Sequence, residues 1–398
     1  MLHRLYFSPG FFGFGRLASY DYFAHLERAL AQKIVAAGDQ VETHVVHAAP
    51  TASIRRRAAK LAEMVAKTCD PGAPNGGPIH LVGHSTGGLD ARLVASPSVS
   101  LSIAPEALAW RHRLASITAI NTPHFGTPLA SFFATVSGER VLRALSALTV
   151  IALSVGSPPL LAVSALVAAL GRLDRAFGLD VKVLDRATDG FLRLIDDARS
   201  PDLREYVDGI KGDQGAMVQL MPEAMDLFAA GIEDCPGVLC QSTISIAPTP
   251  APGMLVRALG RPWSAMSGAI FATLYGISSR YDARYPCAAP ERSATDERLL
   301  EKWFGTKLGI RANDGVVPVR SQIWGDVVWA GYADHLDVLG HFRDVAPRPT
   351  PSQVDGKEPR HIDWLYSGSN FDRSRFASVV DAIAKGILAS ARSMPTAA

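Results

Sequence analysis

A mostly parallel α/β sheet flanked by helices, with a helical cap inserted in its middle, is the architecture this sequence predicts. Three observations carry that expectation. Apolar strand-like runs alternate with helical periodicity over residues 1–120; strand character vanishes over 131–235 and returns from 238; and a Gly-rich turn at 83–88 joins an apolar run directly to a helical one. Such alternation builds a doubly wound sheet, whose ligands gather at the carboxyl ends of the strands. With 398 residues and 48% hydrophobic content, the chain has material for one large domain with insertions.

The elements follow in order. Strands are expected at 2–7, 40–46, 79–82 and 116–121, because each is a short apolar or β-branched run bounded by turn residues. Helical periodicity covers 22–36 and 53–67, the second with Ile54, Ala58, Leu61 and Val65 on one face. The adjoining basic cluster Arg55, Arg56 and Arg57 reads as the solvated face of that helix. A Gly- and Pro-rich loop at 70–78 separates it from the next strand. These parts make residues 1–130 the first half of the core.

Residues 131–235 read as an inserted helical cap or lid, including a stretch at 183–197 with Leu184, Phe191 and Ile195 on one face. Residues 236–398 return to the core through strands at 238–247 and 326–332. A second insertion at about 249–312 carries a helix at 263–275; a Pro-rich loop occupies 345–359; and an amphipathic helix at 376–388 presents Phe376, Val380, Ile383 and Ile387.

Several function classes are disfavoured. Forty basic residues against 38 acidic ones, with no long run of either sign, do not suggest a nucleic-acid partner. The segment between Arg143 and Arg172 carries no charge, but Gly156, Ser157, Pro158 and Pro159 divide it. Each half is about 12 residues, short of the roughly 20 a membrane span needs, so an apolar helical hairpin is expected. The first residues resemble a buried strand and lack the pattern of a secretory leader. A cytoplasmic protein is expected, or a secreted one if a native leader was removed. Cys69, Cys235, Cys240 and Cys287 are too few and too scattered for a disulfide scaffold or a zinc site; Cys235 and Cys240 are the one pair near enough in sequence to join, and free thiols are the expectation.

Chemistry centres on Gly83, His84, Ser85, Thr86, Gly87 and Gly88, which follow the apolar strand and precede a helix. A strand turning sharply into a helix holds its serine in a strained backbone, and glycines two residues before and after remove side chains that would clash. The hydroxyl then stands at the carboxyl edge of the sheet, near the positive end of a helix. A serine needs a base to take its proton and a carboxylate to orient that base, in the chain order serine, acid, histidine. Asp314 in the turn 313–318 and His335 after the strand 326–332 fit that order. Asp326, Asp334 and Asp337 compete for the acid; His341, on an expected helix, and His361, beside Asp363, compete for the base. His84 and His124 read as supports of the elbow and its neighbouring loop.

These motifs resemble those of the bacterial family I triacylglycerol lipases, which are α/β-hydrolases. Their Gly-His-Ser-x-Gly-Gly is similar to 83–88, their Thr-Pro-His-x-Gly to 122–126, their Asn-Asp-Gly-x-Val to 313–317 and their His-Leu-Asp to 335–337, all in family order. The resemblance implies Ser85 as nucleophile, Asp314 as acid and His335 as general base. It places the oxyanion hole at the amides of Thr86 and Phe11, with Pro9 where the family has histidine, and Phe12 as the alternative donor. Phe12 and Phe14, with Phe11, are expected to wall the substrate site, and the apolar hairpin either to form a lid that lines an acyl pocket and meets lipid interfaces or to pack the core as a buried helical pair.

Three departures qualify the resemblance. Arg320 stands where the family has a cysteine, so its usual disulfide cannot form. Members that hold a structural calcium ion use the aspartate equivalent to Asp337, but His341 replaces the glutamine that follows; no cofactor is expected to be required, and calcium is doubtful because the ion prefers oxygen ligands. The segment after His335 is also longer than the family's. The resulting expectation is a carboxylic-ester hydrolase for apolar acyl chains, working through an acyl-enzyme. The same triad would serve an acyltransferase or a lactone, polyester or polyketide-ester hydrolase, and a catalytically silent binding protein is the reading from another class.

Overall fold

In a computed structural model the described residues are 1–11, 16–17, 20–49, 51–69, 76–135, 138, 141–142, 213, 215–251, 262–281, 285, 287, 294–343 and 363–394. The expected hairpin, the helix at 183–197, the loop at 345–359, His361, Phe12 and Phe14 lie outside them. Six strands make one sheet: β1 (Leu2–Ser8), β2 (Gln40–Val45), β3 (Ile79–His84), β4 (Leu114–Ile120), β5 (Leu239–Ile246) and β6 (Asp326–Tyr332). Their spatial order is β2-β1-β3-β4-β5-β6, and every neighbouring pair is parallel. All residues of β3 and β4 are buried, which is why they read as continuous apolar runs rather than as alternation.

Both faces of the sheet are covered, as a parallel sheet requires. The two periodicities explain the packing: side chains alternate along a strand and recur every three to four residues along a helix. Leu5 and Phe7 of β1 pack with Leu26, Leu30 and Ile34 of α1 (Ala24–Ala36) and with Val380, Ile383 and Ile387 of the last helix, Arg373–Ser393. Tyr6 faces the other way, against Leu61 and Val65 of α2 (Ile54–Thr68) and Leu89 and Val94 of α3 (Thr86–Ala95). Each such leucine or isoleucine contributes about 1.5–3 kcal/mol on burial. Helix α2 starts at Ser53, whose hydroxyl accepts from the Arg56 amide.

The apolar stripe of α2 contains a residue that the sequence reading placed in solvent. Arg57 is fully buried beside Ile54, Ala58 and Leu61, whereas Arg55 and Arg56 are exposed. Helical geometry permits this, since position 57 lies one turn from 54 and 61. The charge is tolerated because Asp90 on α3, also fully buried, pairs with it at 2.8 Å.

Between β4 and β5 the described elements are helical: α4 (Pro128–Phe133), α5 (Gly215–Gln219) and α6 (Pro222–Gly231). Between β5 and β6 lie α7 (Pro262–Ser278) and α8 (Ala294–Phe304), and the last helix is α9 (Arg373–Ser393). Arg320, in place of a cysteine, pairs with Glu297 of α8 at 2.9 Å and donates to the Gly309 and Leu308 carbonyls. A charge-assisted fastening thus occupies the position where a disulfide was expected to be missing. Cys235 and Cys240 carry free thiols. Among the described residues, no helix is long and apolar enough to cross a membrane.

Candidate active site

Strand β3 ends at His84, and Ser85 begins the turn into α3 with φ 54 and ψ −126. This is positive-φ backbone, costly for any side-chain-bearing residue, by about 1–3 kcal/mol. The surrounding contacts enforce it. Ser85 donates its amide to Ile120 of β4 at 2.8 Å, and Gly88 donates back to the Ser85 carbonyl at 3.1 Å. A Cβ on Gly83 would lie 2.2 Å from the Gly87 carbonyl oxygen, and one on Gly87 would lie 1.9 Å from that of Ser8. Glycine is therefore required by close backbone approach at both positions.

The loop after β1 reaches the same point. A Cβ on Gly10 would stand 2.8 Å from Ser85 Cβ and 3.0 Å from the Tyr22 hydroxyl, so this loop lies directly against the serine. Phe11 follows it and is half-buried, packing on both core clusters; Thr86 is the first residue of α3. Pro9 is held from below. Its carbonyl accepts from Arg57 Nη2, while Arg57 Nε reaches both Asp90 oxygens at 3.2 and 3.0 Å, and Ser8 Oγ donates to Asp90 at 2.7 Å. Burial pushes the Asp90 carboxyl above its usual range, and Arg57 and Ser8 pull it back.

Asp314 and His335 meet on the loops beyond β5 and β6. His335 Nδ1 lies 2.7 Å from Asp314 Oδ2, and the His335 amide donates to the Asp314 carbonyl at 3.0 Å. The other oxygen of Asp314 accepts the amides of Val316 at 2.9 Å and Val317 at 2.7 Å, and Gln322 Nε2 lies 3.3 Å from Oδ2. With its proton on Nδ1, the imidazole keeps Nε2 as an acceptor. Of the competing acids, Asp326 is exposed at the start of β6, while Asp334 and Asp337 bind backbone and serine groups.

His335 is joined to the strand that leads into Ser85 through His84, the residue before it. The two imidazole rings have centroids 4.6 Å apart, and His84 Nε2 lies 2.8 Å from the His335 carbonyl. A carbonyl only accepts, so that nitrogen carries the proton. Burial, reinforced by His335, holds the His84 pKa well below the ordinary histidine value and keeps the ring neutral. Its Nδ1 must then accept from the Tyr22 hydroxyl, 2.6 Å away. Asn121, another positive-φ residue, approaches the same carbonyl at 3.5 Å and accepts from Ser245 Oγ at 3.1 Å.

One position differs from expectation. His341 is not on a helix: it follows the turn at Gly340, is buried as a packing residue, and contacts the Tyr22 carbonyl through Nε2 at 2.9 Å. His124 is buried in the loop before α4, where its amide donates to the Ser321 carbonyl at 2.8 Å and its ring stacks on Trp324 with centroids 5.1 Å apart. In the sequence Tyr22 only opens a stretch of helical periodicity, and the helix itself starts at Ala24. Its contact with His84 spans 62 residues and left no local signal.

The fold agrees with an α/β-hydrolase in its parallel strand order, in the serine-bearing turn after the third strand, and in the loops that carry Asp314 and His335. No protein-family model matches the chain, and no curated protein matches its sequence. Solved structures similar to it include a metagenomic carboxyl esterase, at 17% identity and TM-score 0.47 over 97% of this chain and 75% of that one. EstA from Clostridium botulinum aligns at 17% identity and TM-score 0.47, over 95% of this chain and 87% of that one. The lipase of Staphylococcus hyicus aligns at 16% identity and TM-score 0.46, over 97% and 96%. By its own strand order and elbow the chain has the α/β-hydrolase fold, and bacterial lipases and esterases are among the structures it is similar to.

Proposed function

We propose that the protein hydrolyses carboxylic esters with apolar acyl chains, with Ser85 as nucleophile. The observation that carries this reading is the hydrogen-bonded arrangement at the carboxyl edge of the sheet: Ser85 in a strained strand-to-helix turn, and a His335–Asp314 pair held to the adjoining His84. His335 takes the Ser85 proton as the hydroxyl attacks the ester carbonyl. Asp314 supports the imidazolium, and the same proton passes to the departing alcohol. The amides of Phe11 and Thr86 stabilise the tetrahedral oxyanion. Water then attacks the acyl-enzyme, with His335 again as base. Support for an apolar acyl group comes from Phe11, Val316 and Leu336, three half-buried side chains in or beside these loops that pack on one core cluster.

The test is a series of p-nitrophenyl esters from acetate to long acyl chains, with mass mapping of a fluorophosphonate adduct. The expected result is kcat/KM that rises beyond acetate and a single adduct on Ser85. An adduct on another serine would sink the nucleophile assignment. An assay with added alcohol distinguishes hydrolase from transferase: capture of nearly all acyl groups by the alcohol would make transfer the reaction.

Arg57 supports the proposed oxyanion loop and yields a separate prediction. Arg57→Met leaves Asp90 buried without its cation and should destabilise the fold by about 3–5 kcal/mol. The Arg57→Met/Asp90→Leu pair should recover much of that stability, because a well-packed apolar pair avoids both desolvation costs. The Pro9 carbonyl still lacks its donor, so kcat should remain low in both variants. Urea unfolding and ester turnover measured side by side check this; full recovery of kcat in the double variant would show that Arg57 does not position the loop.

A further inference from the structure

The loop that carries His335 is fastened from the segment that follows it in the chain. Asp334 and Asp337 bracket the histidine and lock each other. Asp334 Oδ1 accepts the amides of Leu336 at 2.9 Å and Asp337 at 3.1 Å, while Asp337 Oδ2 accepts the Asp334 amide at 2.8 Å. Both carboxylates are buried and each receives a serine hydroxyl from one short turn. Ser367 Oγ donates to Asp334 Oδ2 at 2.8 Å, and Ser369 Oγ donates to Asp337 Oδ2 at 2.7 Å.

The direction of these bonds is set by the turn itself. Ser367 Oγ accepts the Ser369 amide at 3.3 Å and Ser369 Oγ accepts the Phe371 amide at 3.2 Å, which leaves each O–H to point at its carboxylate. Gly368 between them has φ 74. The turn is anchored on both sides. Upstream, the Tyr366 amide donates to Ser267 Oγ on α7 at 2.7 Å, and that hydroxyl donates to the Asp363 carbonyl at 3.1 Å. Downstream, Phe371 is buried and the chain enters α9 at Arg373.

A calcium ion at Asp337 Oδ2 would have to displace two protein donors. The Ser369 hydroxyl and the Asp334 amide both aim hydrogens at Asp337 Oδ2, where an ion would need lone pairs. His341 offers a nitrogen already directed at the Tyr22 carbonyl. Among the described residues, no group of three or more His, Cys, Asp or Glu could hold a metal.

We propose that Ser367 and Ser369 are positioning residues for His335, holding its loop through Asp334 and Asp337 so that alignment of the base requires no divalent cation. This rests on the reading of His335 as the general base. The segment after the histidine thereby acquires a role: it ties the catalytic loop to α7 and α9.

The experiment uses the full chain with p-nitrophenyl butyrate, in Ser369→Ala, Ser369→Thr and Ser367→Ala/Ser369→Ala, each with and without EDTA and added Ca²⁺. A misplaced base costs rate rather than binding, so Ser369→Ala should lower kcat several-fold and the double variant roughly 10- to 100-fold, with KM little changed. Ser369→Thr, which retains the hydroxyl, should restore most of kcat. The acid limb of the kcat/KM profile should move in the alanine variants and return in the threonine variant. Wild-type kcat and melting temperature should be the same in EDTA and in Ca²⁺. Unchanged kcat in Ser369→Ala, or EDTA inactivation reversed by Ca²⁺, overturns the proposal. If the double variant does not fold, Ser369→Ala and its threonine partner decide it. Persistence of esterase activity in Ser85→Ala would overturn the underlying reading instead, and is measured in the same assay.

Discussion

Ser85→Ala is expected to lower kcat for p-nitrophenyl esters by about 10⁵- to 10⁶-fold, the scale seen when a triad nucleophile is removed. On the proposed mechanism, loss of Oγ would eliminate the acyl-enzyme and leave only attack by water, assisted by the proposed oxyanion amides, a residue of about 10³–10⁴ over the uncatalysed reaction. The fold should be unaffected, because the turn is held by backbone contacts: the Ser85 amide to Ile120 and the Gly88 amide to Ser85. Ser85→Gly separates strain from chemistry. It should be equally inactive yet more resistant to urea, since glycine relieves the cost of φ 54 at ψ −126. Substantial turnover in Ser85→Ala would remove the serine-hydrolase mechanism; a glycine variant less stable than alanine would contradict the strained-elbow account.

Asp314→Asn should lower kcat by about 10⁴-fold with the fold intact. The hydrogen bonds dictate how the amide must sit. Oδ1 accepts the Val316 and Val317 amides, so the carbonyl oxygen of asparagine occupies that position and its NH₂ takes the place of Oδ2, 2.7 Å from His335 Nδ1. Two donors cannot face each other. The imidazole must accept at Nδ1 and carry its proton on Nε2, and that tautomer cannot remove a proton from Ser85. Nitrogen NMR of the ring should report the exchange of tautomers alongside the fall in kcat. A loss of less than tenfold, or an unchanged tautomer, would show that Asp314 is not the group that orients the base.

Much of this site was legible in the sequence because it is local. A short apolar run followed by Gly83, Ser85, Gly87 and Gly88 specifies a strand, a turn and a helix without reference to the rest of the chain, and the glycines are the residues whose side chains would collide. The alternation from β1 to β4 likewise follows from burial on both faces of a parallel sheet. Asp314 and His335 were each placed by a turn or by the end of a strand. Their meeting at 2.7 Å needed only that β5 and β6 be neighbours.

The supports of the site were not legible, and Arg57 shows why. In the sequence it stands in a run of three arginines, and charge ordinarily marks the solvated side of a helix; its burial is tolerated where α3 delivers Asp90 and where the Pro9 and Ala49 carbonyls accept from it. Tyr22, His341, Ser367 and Ser369 are alike in this respect, since each acts through a partner distant in the chain. The sequence alone determined the strand order's ingredients, the serine elbow and the candidate acid and base, since periodicity and turn chemistry are properties of adjacent residues. Tertiary structure alone decided which buried polar groups hold them in place, because a charge or hydroxyl is stable inside a protein only where the fold brings a complementary group within hydrogen-bonding distance.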